Sequence, residues 1–223
     1  MGVSMRSVMF DLDGTLADTS GDLLAAANVR FRALGLGDLL TPDDAGTAIT
    51  GGRAMLRLGF SRVDGFGEDD VEAQFAPFIE AYAANLNTHT YLYPGAMDAV
   101  RTLKARGYAV GICTNKPIRQ AEDLMTLLGV RQEFDSLLGA DSLPVRKPDP
   151  EHLRECVRRA GADPAKTVLI GDTKTDRDTA RNAGVPCILV TFGPGEQDVA
   201  AMEPEGLLDH FDDLPAMVER LIG

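Results

Sequence analysis

An α/β protein built on a parallel sheet is predicted by short apolar runs, each ending on a polar or turn residue, that alternate with stretches of helical periodicity. A second observation is an interruption: residues 18–88 break the alternation and read as helices only. A third is that acidic, hydroxyl and cationic residues fall just past the ends of the apolar runs, where open parallel sheets gather their ligands. Together they predict a Rossmann-like core carrying an inserted all-helical cap domain.

The strands are expected at 7–11, 108–114, 167–172 and 185–191, runs rich in Val, Ile and Leu with no polar face, as sheets covered on both sides require. Helices follow at 95–106, 117–128, 150–160 and 175–183, closed by Gly107, Gly129, Gly161 and Gly184. In the interruption the helical patterns are 22–34, 42–49, 53–58 and 69–85, with a glycine- and acid-rich connection over 64–70. A last short strand and an amphipathic helix are expected within 202–223. The predicted division is a catalytic core of 1–17 and 89–223 and a cap of 18–88, with hinges near 17–20 and 87–93.

The 223 residues carry a formal net charge of −12, which opposes binding to nucleic acid or anionic membranes. A small anionic substrate would need local positive charge, and a divalent metal is one supplier. No apolar run reaches the roughly 18 residues of a membrane span, and the N-terminus lacks the pattern of a secretion signal, so a cytoplasmic protein is expected. Cys113, Cys156 and Cys187 are widely spaced with no CxxC and read as reduced and structural.

Asp11-Leu12-Asp13-Gly14-Thr15 follows the first strand, and alternation puts both carboxylates toward one spot. Gly171-Asp172-Thr173-Lys174-Thr175-Asp176 repeats the arrangement after the third strand. Carboxylates this close repel and raise one another's pKa unless a cation lies among them. A hard divalent ion such as Mg²⁺ suits such a donor set. Any one of these acids alone could be a turn or helix-cap residue; in company with Thr114 and Lys147 at neighbouring strand ends, the set points to chemistry.

The segments DLDGTLADT (11–19), ICTNKP (112–117), RKPDP (146–150) and IGDTKTD (170–176) resemble, in order and separation, the four motifs of the haloacid dehalogenase-like hydrolases, and TNKP resembles the phosphoglycolate phosphatases among them. The resemblance covers nearly the whole chain. It implies a Mg²⁺-dependent phosphatase of a small phosphorylated metabolite, with Asp11 as nucleophile and metal ligand. It implies Asp13 as general acid and base whose carbonyl also ligates the metal. Thr114 and the Asn115 N–H would bind phosphate oxygens, Lys147 would neutralise Asp11 and the phosphoryl group, and Asp172 would ligate the metal directly. Asp176 is expected to orient Lys147 or a water on the ion.

Several readings compete within that resemblance. Asp13 favours phosphate-ester over carbon–halogen chemistry, and a cap without lysine excludes a Schiff-base phosphonate hydrolase. A β-phosphoglucomutase-like phosphotransferase, a pyrophosphatase, and a non-catalytic binding protein on the same fold stay open. In Thr50-Gly51-Gly52-Arg53, Arg53 is expected either to pair with a substrate carboxylate, which suits 2-phosphoglycolate, or to be a solvated residue at a helix start. His89, His152 and His210 share no ligand spacing; His152 is expected on a surface-like helix, and Cys113 is expected to point away from the site. Oligomeric state is not readable.

Overall fold

The computed structural model describes residues 5–195 and 198–223. Along the chain run β1 (Ser7–Phe10), β2 (Ala17–Asp18), α1 (Ser20–Ala33), α2 (Ala45–Ala48), α3 (Gly52–Phe60), α4 (Glu68–Ala84) and β3 (Tyr91–Leu92). Next come α5 (Ala96–Ala105), β4 (Ala109–Cys113), α6 (Ile118–Leu127), β5 (Ser136–Leu138) and α7 (Pro150–Arg159). The remainder is β6 (Thr167–Gly171), α8 (Lys174–Ala183), β7 (Cys187–Val190), β8 (Gly206–Leu208) and α9 (Leu214–Ile222). The chain divides into two compact units: the smaller comprises Asp18–Tyr91 with a short stretch from Pro194, and the larger holds the rest.

The larger unit is a six-stranded sheet in the order β5-β4-β1-β6-β7-β8, every pair parallel. Its central strands are mostly apolar because both faces are covered, and the buried hydroxyls of Ser7 and Thr167 at the start of β1 and β6 bond each other at 2.7 Å. Met9, Cys113, Leu169, Cys187 and Leu189 pack with Leu153, Cys156, Val157 and Ala180, the inward stripes of α7 and α8. The alternate residues Val8, Phe10, Val110, Ile112, Val168 and Ile170 are also fully buried, on the side of α5 and α9. Each such side chain contributes about 1.5–3 kcal/mol by leaving water.

Register places the site. Phe10 lies opposite Ile112 on one side and Ile170 on the other, so β1, β4 and β6 end level with one another. From β1 the chain moves outward through β4 and β5, then returns to β6 on the other flank of β1. That reversal opens a crevice at the C-terminal end of β1, where parallel sheets bind ligands.

The smaller unit has its own core of Phe31, Met55, Leu56, Phe60, Phe78 and Tyr82 from α1, α3 and α4. Phe31 meets Phe60 edge-on at 5.3 Å, and Phe60 stacks on Phe66 at 4.8 Å. Asn28 on α1 brackets the following loop, donating to Leu40 O and accepting from the N–H groups of Leu39 and Leu40. At the base of α1, the buried Asp22 accepts from the backbone N–H groups of Thr88, His89 and Thr90 and from the Thr90 hydroxyl. The helix expected over 42–49 is a 3₁₀ turn (Pro42–Asp44) followed by the single turn of α2. β5 had no sequence signal, being three residues long.

Candidate active site

Most of the functional side chains stand in the turns after β1, β4 and β6, whereas Lys147, expected at a strand end, lies just before α7 and Asp176 in the first turn of α8. Asp11 follows β1, its N–H donating to Ile170 O at 2.8 Å, which keeps it in line with β6. Lys147 precedes α7, and its ammonium, 1% exposed, lies 3.0 Å from Asp11 Oδ1 and 2.6 Å from Asp176 Oδ1. The Asn115 side chain, in the turn after β4, donates to the Lys147 carbonyl at 3.0 Å and so fixes the backbone that carries the ammonium.

Asp176 serves two structures at once. Its Oδ2 accepts from the N–H and hydroxyl of Thr173, closing a capping box on α8, while Oδ1 receives Lys147. Gly171 makes this possible: a Cβ there would stand 2.3 Å from the Asp176 carboxyl carbon, so any other residue would displace it. Asp172 accepts from the Thr15 hydroxyl through Oδ1 at 2.9 Å, whereas its buried Oδ2 has no hydrogen-bond partner.

These contacts set the electrostatics. Burial pushes the Asp11 carboxyl up to about 6; Lys147 opposes that rise, while Asp176 and Asp13 add to it. Burial, then Asp176 and Asp11, hold Asp172 well above the carboxylate range. Burial also opposes charge on Lys147, but Asp11 and Asp176 outweigh it and keep the ammonium protonated. One oxygen each from Asp11, Asp172 and Asp176 falls within 4.8 Å of the others. Three clustered carboxylates against one shared ammonium, with one buried oxygen lacking any donor, fit a hard divalent cation. Asp176, with both oxygens engaged, is placed to orient its neighbours.

The sequence-predicted residues Asp11, Asp13, Thr114, Asn115, Lys147, Asp172 and Asp176 all belong to the larger unit, in the turns at the ends of β1, β4 and β6 or, for Lys147, just before α7 and, for Asp176, in the first turn of α8. Thr114 is buried, its N–H bonded to Leu138 O. Arg53 lies on α3 in the smaller unit, where its fork binds Glu72 through Nε at 2.6 Å and Nη2 at 3.0 Å over the Phe75 ring. Glu72 thus occupies the Nε–Nη2 edge of the guanidinium. His152 is not on a surface: it is fully buried, Nδ1 3.3 Å from Cys113 Sγ and Nε2 3.0 Å from Gly139 O. It sits on the inward stripe of α7 with Leu153 and Cys156, a periodicity masked by the charged residues around it. Cys113 packs into that same core.

Two residues without a sequence-assigned role join the site. Thr15 orients Asp172, and Lys116 places its ammonium 2.8 Å from Asp13 Oδ1. Neither pairing has a local signal, since the partners are 157 and 103 positions apart.

Residues 8–190 match the model of the haloacid dehalogenase-like hydrolases. A phosphoglycolate phosphatase from Mesorhizobium japonicum is 36% identical over 99% of this chain and 98% of its own length. Another, from Agrobacterium fabrum, is 34% identical over 96% and 93%. The crystal structure of a predicted phosphoglycolate phosphatase from Haemophilus somnus superposes with a TM-score of 0.84 at 25% identity, covering 97% of this chain and 99% of that one. The chain belongs to the haloacid dehalogenase-like hydrolases, and its relatives set it among the phosphatases of that family.

Proposed function

We propose that this phosphatase hydrolyses 2-phosphoglycolate with Mg²⁺ through an aspartyl-phosphate on Asp11. The observation that carries the chemistry is Lys147, buried between Asp11 and Asp176. Such an ammonium neutralises the nucleophile before attack and the phosphoryl oxygens during it. The choice of substrate is supported by the phosphoglycolate phosphatases that match nearly the full chain.

Asp11 attacks phosphorus, the bond to the ester oxygen breaks, and the leaving alkoxide takes a proton from Asp13. Asp13 then removes a proton from the water that hydrolyses the phospho-Asp11. Thr114 and the Asn115 N–H hold phosphoryl oxygens, and Asp176 keeps Lys147 in place. Asp11, Asp172 and the Asp13 carbonyl would hold Mg²⁺, which supplies positive charge to the phosphoryl group and screens the carboxylates from one another. The smaller unit acts as a cap that selects the substrate, with Arg53 as reader of the far carboxylate. The enzyme acts on a small metabolite, without nucleic acid or membrane, and in the cytoplasm; no helix among the described residues is long and apolar enough to cross a membrane.

The test is phosphate release from 2-phosphoglycolate, pyrophosphate, β-glucose 1-phosphate and nucleoside monophosphates, with and without Mg²⁺, for wild type and Asp11→Asn. Mg²⁺-dependent turnover highest on phosphoglycolate and lost in Asp11→Asn is expected. Even turnover across the panel would remove the substrate assignment, and full activity of Asp11→Asn would remove the mechanism.

A further inference from the structure

Lys116 has no task in the reaction as written, yet the structure builds it in. Its side chain is 3% exposed, and its ammonium lies 2.8 Å from Asp13 Oδ1. A buried ammonium is costly unless paired. The backbone around it is equally fixed: its N–H donates to Thr114 Oγ1 at 3.2 Å and its carbonyl accepts from Ala140 N at 2.9 Å. At Gly139 a Cβ would stand 2.7 Å from the Lys116 carbonyl oxygen and 2.4 Å from Ile118 N, so only glycine lets the chain after β5 lie against this turn. The turn that presents Thr114 therefore also aims Lys116.

We propose that Lys116 is the positioning residue of Asp13, its ammonium selecting the rotamer that keeps this carboxyl group beside Asp11. The proposal rests on the reading of Asp13 as general acid. A free Asp side chain has several staggered rotamers open to it, and proton transfer needs the carboxyl group within hydrogen-bond reach of the leaving oxygen. When Asp11 bonds to phosphorus, the electron pair of the breaking P–O bond stays on the ester oxygen. An alkoxide must then take the Asp13 proton, whereas p-nitrophenolate leaves without one. Misplacing Asp13 therefore harms alkyl phosphates selectively.

The experiment compares kcat/KM for the best alkyl phosphate of the panel above with that for p-nitrophenyl phosphate, in wild type, Lys116→Met, Lys116→Gln, Lys116→Arg and Asp13→Asn. This parameter stops at formation of phospho-Asp11, so the later basic role of Asp13 does not enter. The ratio of the two substrates is also independent of how much variant protein is folded. Lys116→Met and Lys116→Gln should lower the alkyl-to-aryl ratio by about 10-fold to 100-fold, the scale of a small misplacement of a catalytic group. Asp13→Asn should lower it further, and Lys116→Arg should recover part of the loss. Equal losses on both esters would make Lys116 a phosphate ligand or a purely structural residue, and either that or an unchanged ratio overturns the proposal. Wild-type protein that hydrolyses neither ester would instead remove the phosphatase reading itself, and the role of Lys116 with it.

Discussion

At the sheet rim, Lys147 has 1% of its side chain exposed between two carboxylates, whereas on the helical unit Arg53 is 41% exposed opposite Glu72 and Arg57 is 54% exposed opposite Glu68. The same kinds of charge do different work in the two places. Buried charges are costly to leave unpaired, so those at the rim interlock: Asn115 fixes Lys147, Lys147 bridges Asp11 and Asp176, and Asp176 caps α8. Exposed pairs contribute little, because water screens them, and can be exchanged with little loss of stability. A chain that keeps one chemistry while changing substrates needs a rigid rim and a helical unit whose surface is free to vary.

Lys147→Met should break this contrast most severely. It leaves Asp11 and Asp176 buried without their countercharge, a change of about 3–5 kcal/mol at neutral pH. It should also lower kcat by at least about 100-fold. Denaturant melts and phosphate release measure the two losses; a variant as stable as wild type would mean the rim is not held by this cation.

Metal removal and pH sharpen the same point. The folded Asp11 holds its proton up to about 6, against 3.8 ordinarily, so between those values the native state binds more protons than the unfolded chain. The metal-free protein is therefore expected to be most stable toward the acid end of that window and to lose stability as pH rises through it, by up to about 3 kcal/mol. Asp172, also raised, acts in the same direction. Mg²⁺ relieves the repulsion only where the carboxylates are ionised, so it should raise Tm more at pH 8 than at pH 5. An equal rise at both values would place the ion elsewhere.

Asp22 is the exception in the helical unit, a buried carboxylate receiving three backbone N–H groups and a hydroxyl. Asp22→Ala strands those donors and should destabilise the protein by about 2 kcal/mol. Faster amide exchange at Thr88, His89 and Thr90, with the α5 amides unaffected, would locate the damage in the linker that returns from the helical unit.

Asp22 also shows where sequence reading stops. Strands β1, β4, β6 and β7 were legible because burial on both faces demands unbroken apolar runs, and the acids after β1 and β6 were legible because motif spacing puts them at strand ends. Asp22 meets residues 66 to 68 positions away, Lys116 meets Asp13 across 103, and Thr15 meets Asp172 across 157. Nothing local marks such pairs, since each exists only once the sheet order is set. His152 failed for another reason: its neighbours Glu151 and Arg154 look like a surface while the i, i+1, i+4, i+5 stripe faces inward. Arg53 was legible as a guanidinium after paired glycines, but its partnership with Glu72 depends on how α3 packs on α4.

Arg53→Ala should have the smallest effect on stability and the most informative effect on function. Only an exposed pair and the contact with the Phe75 ring, whose centroid lies 3.5 Å from the guanidinium carbon, are lost, so stability should hardly change. Glu72 holds the Nε–Nη2 edge of this guanidinium and its charge opposes a second carboxylate there, so Arg53→Ala and Glu72→Gln should act in opposite directions. The first should raise KM for phosphoglycolate several-fold while leaving kcat near wild type, and the second should lower KM by removing the competing charge of Glu72. If neither variant moves KM, Arg53 is a surface residue of α3, and recognition of the far end of the substrate belongs to other groups. The rim would keep its chemistry in either case, because Lys147, Asp11 and Asp176 hold one another.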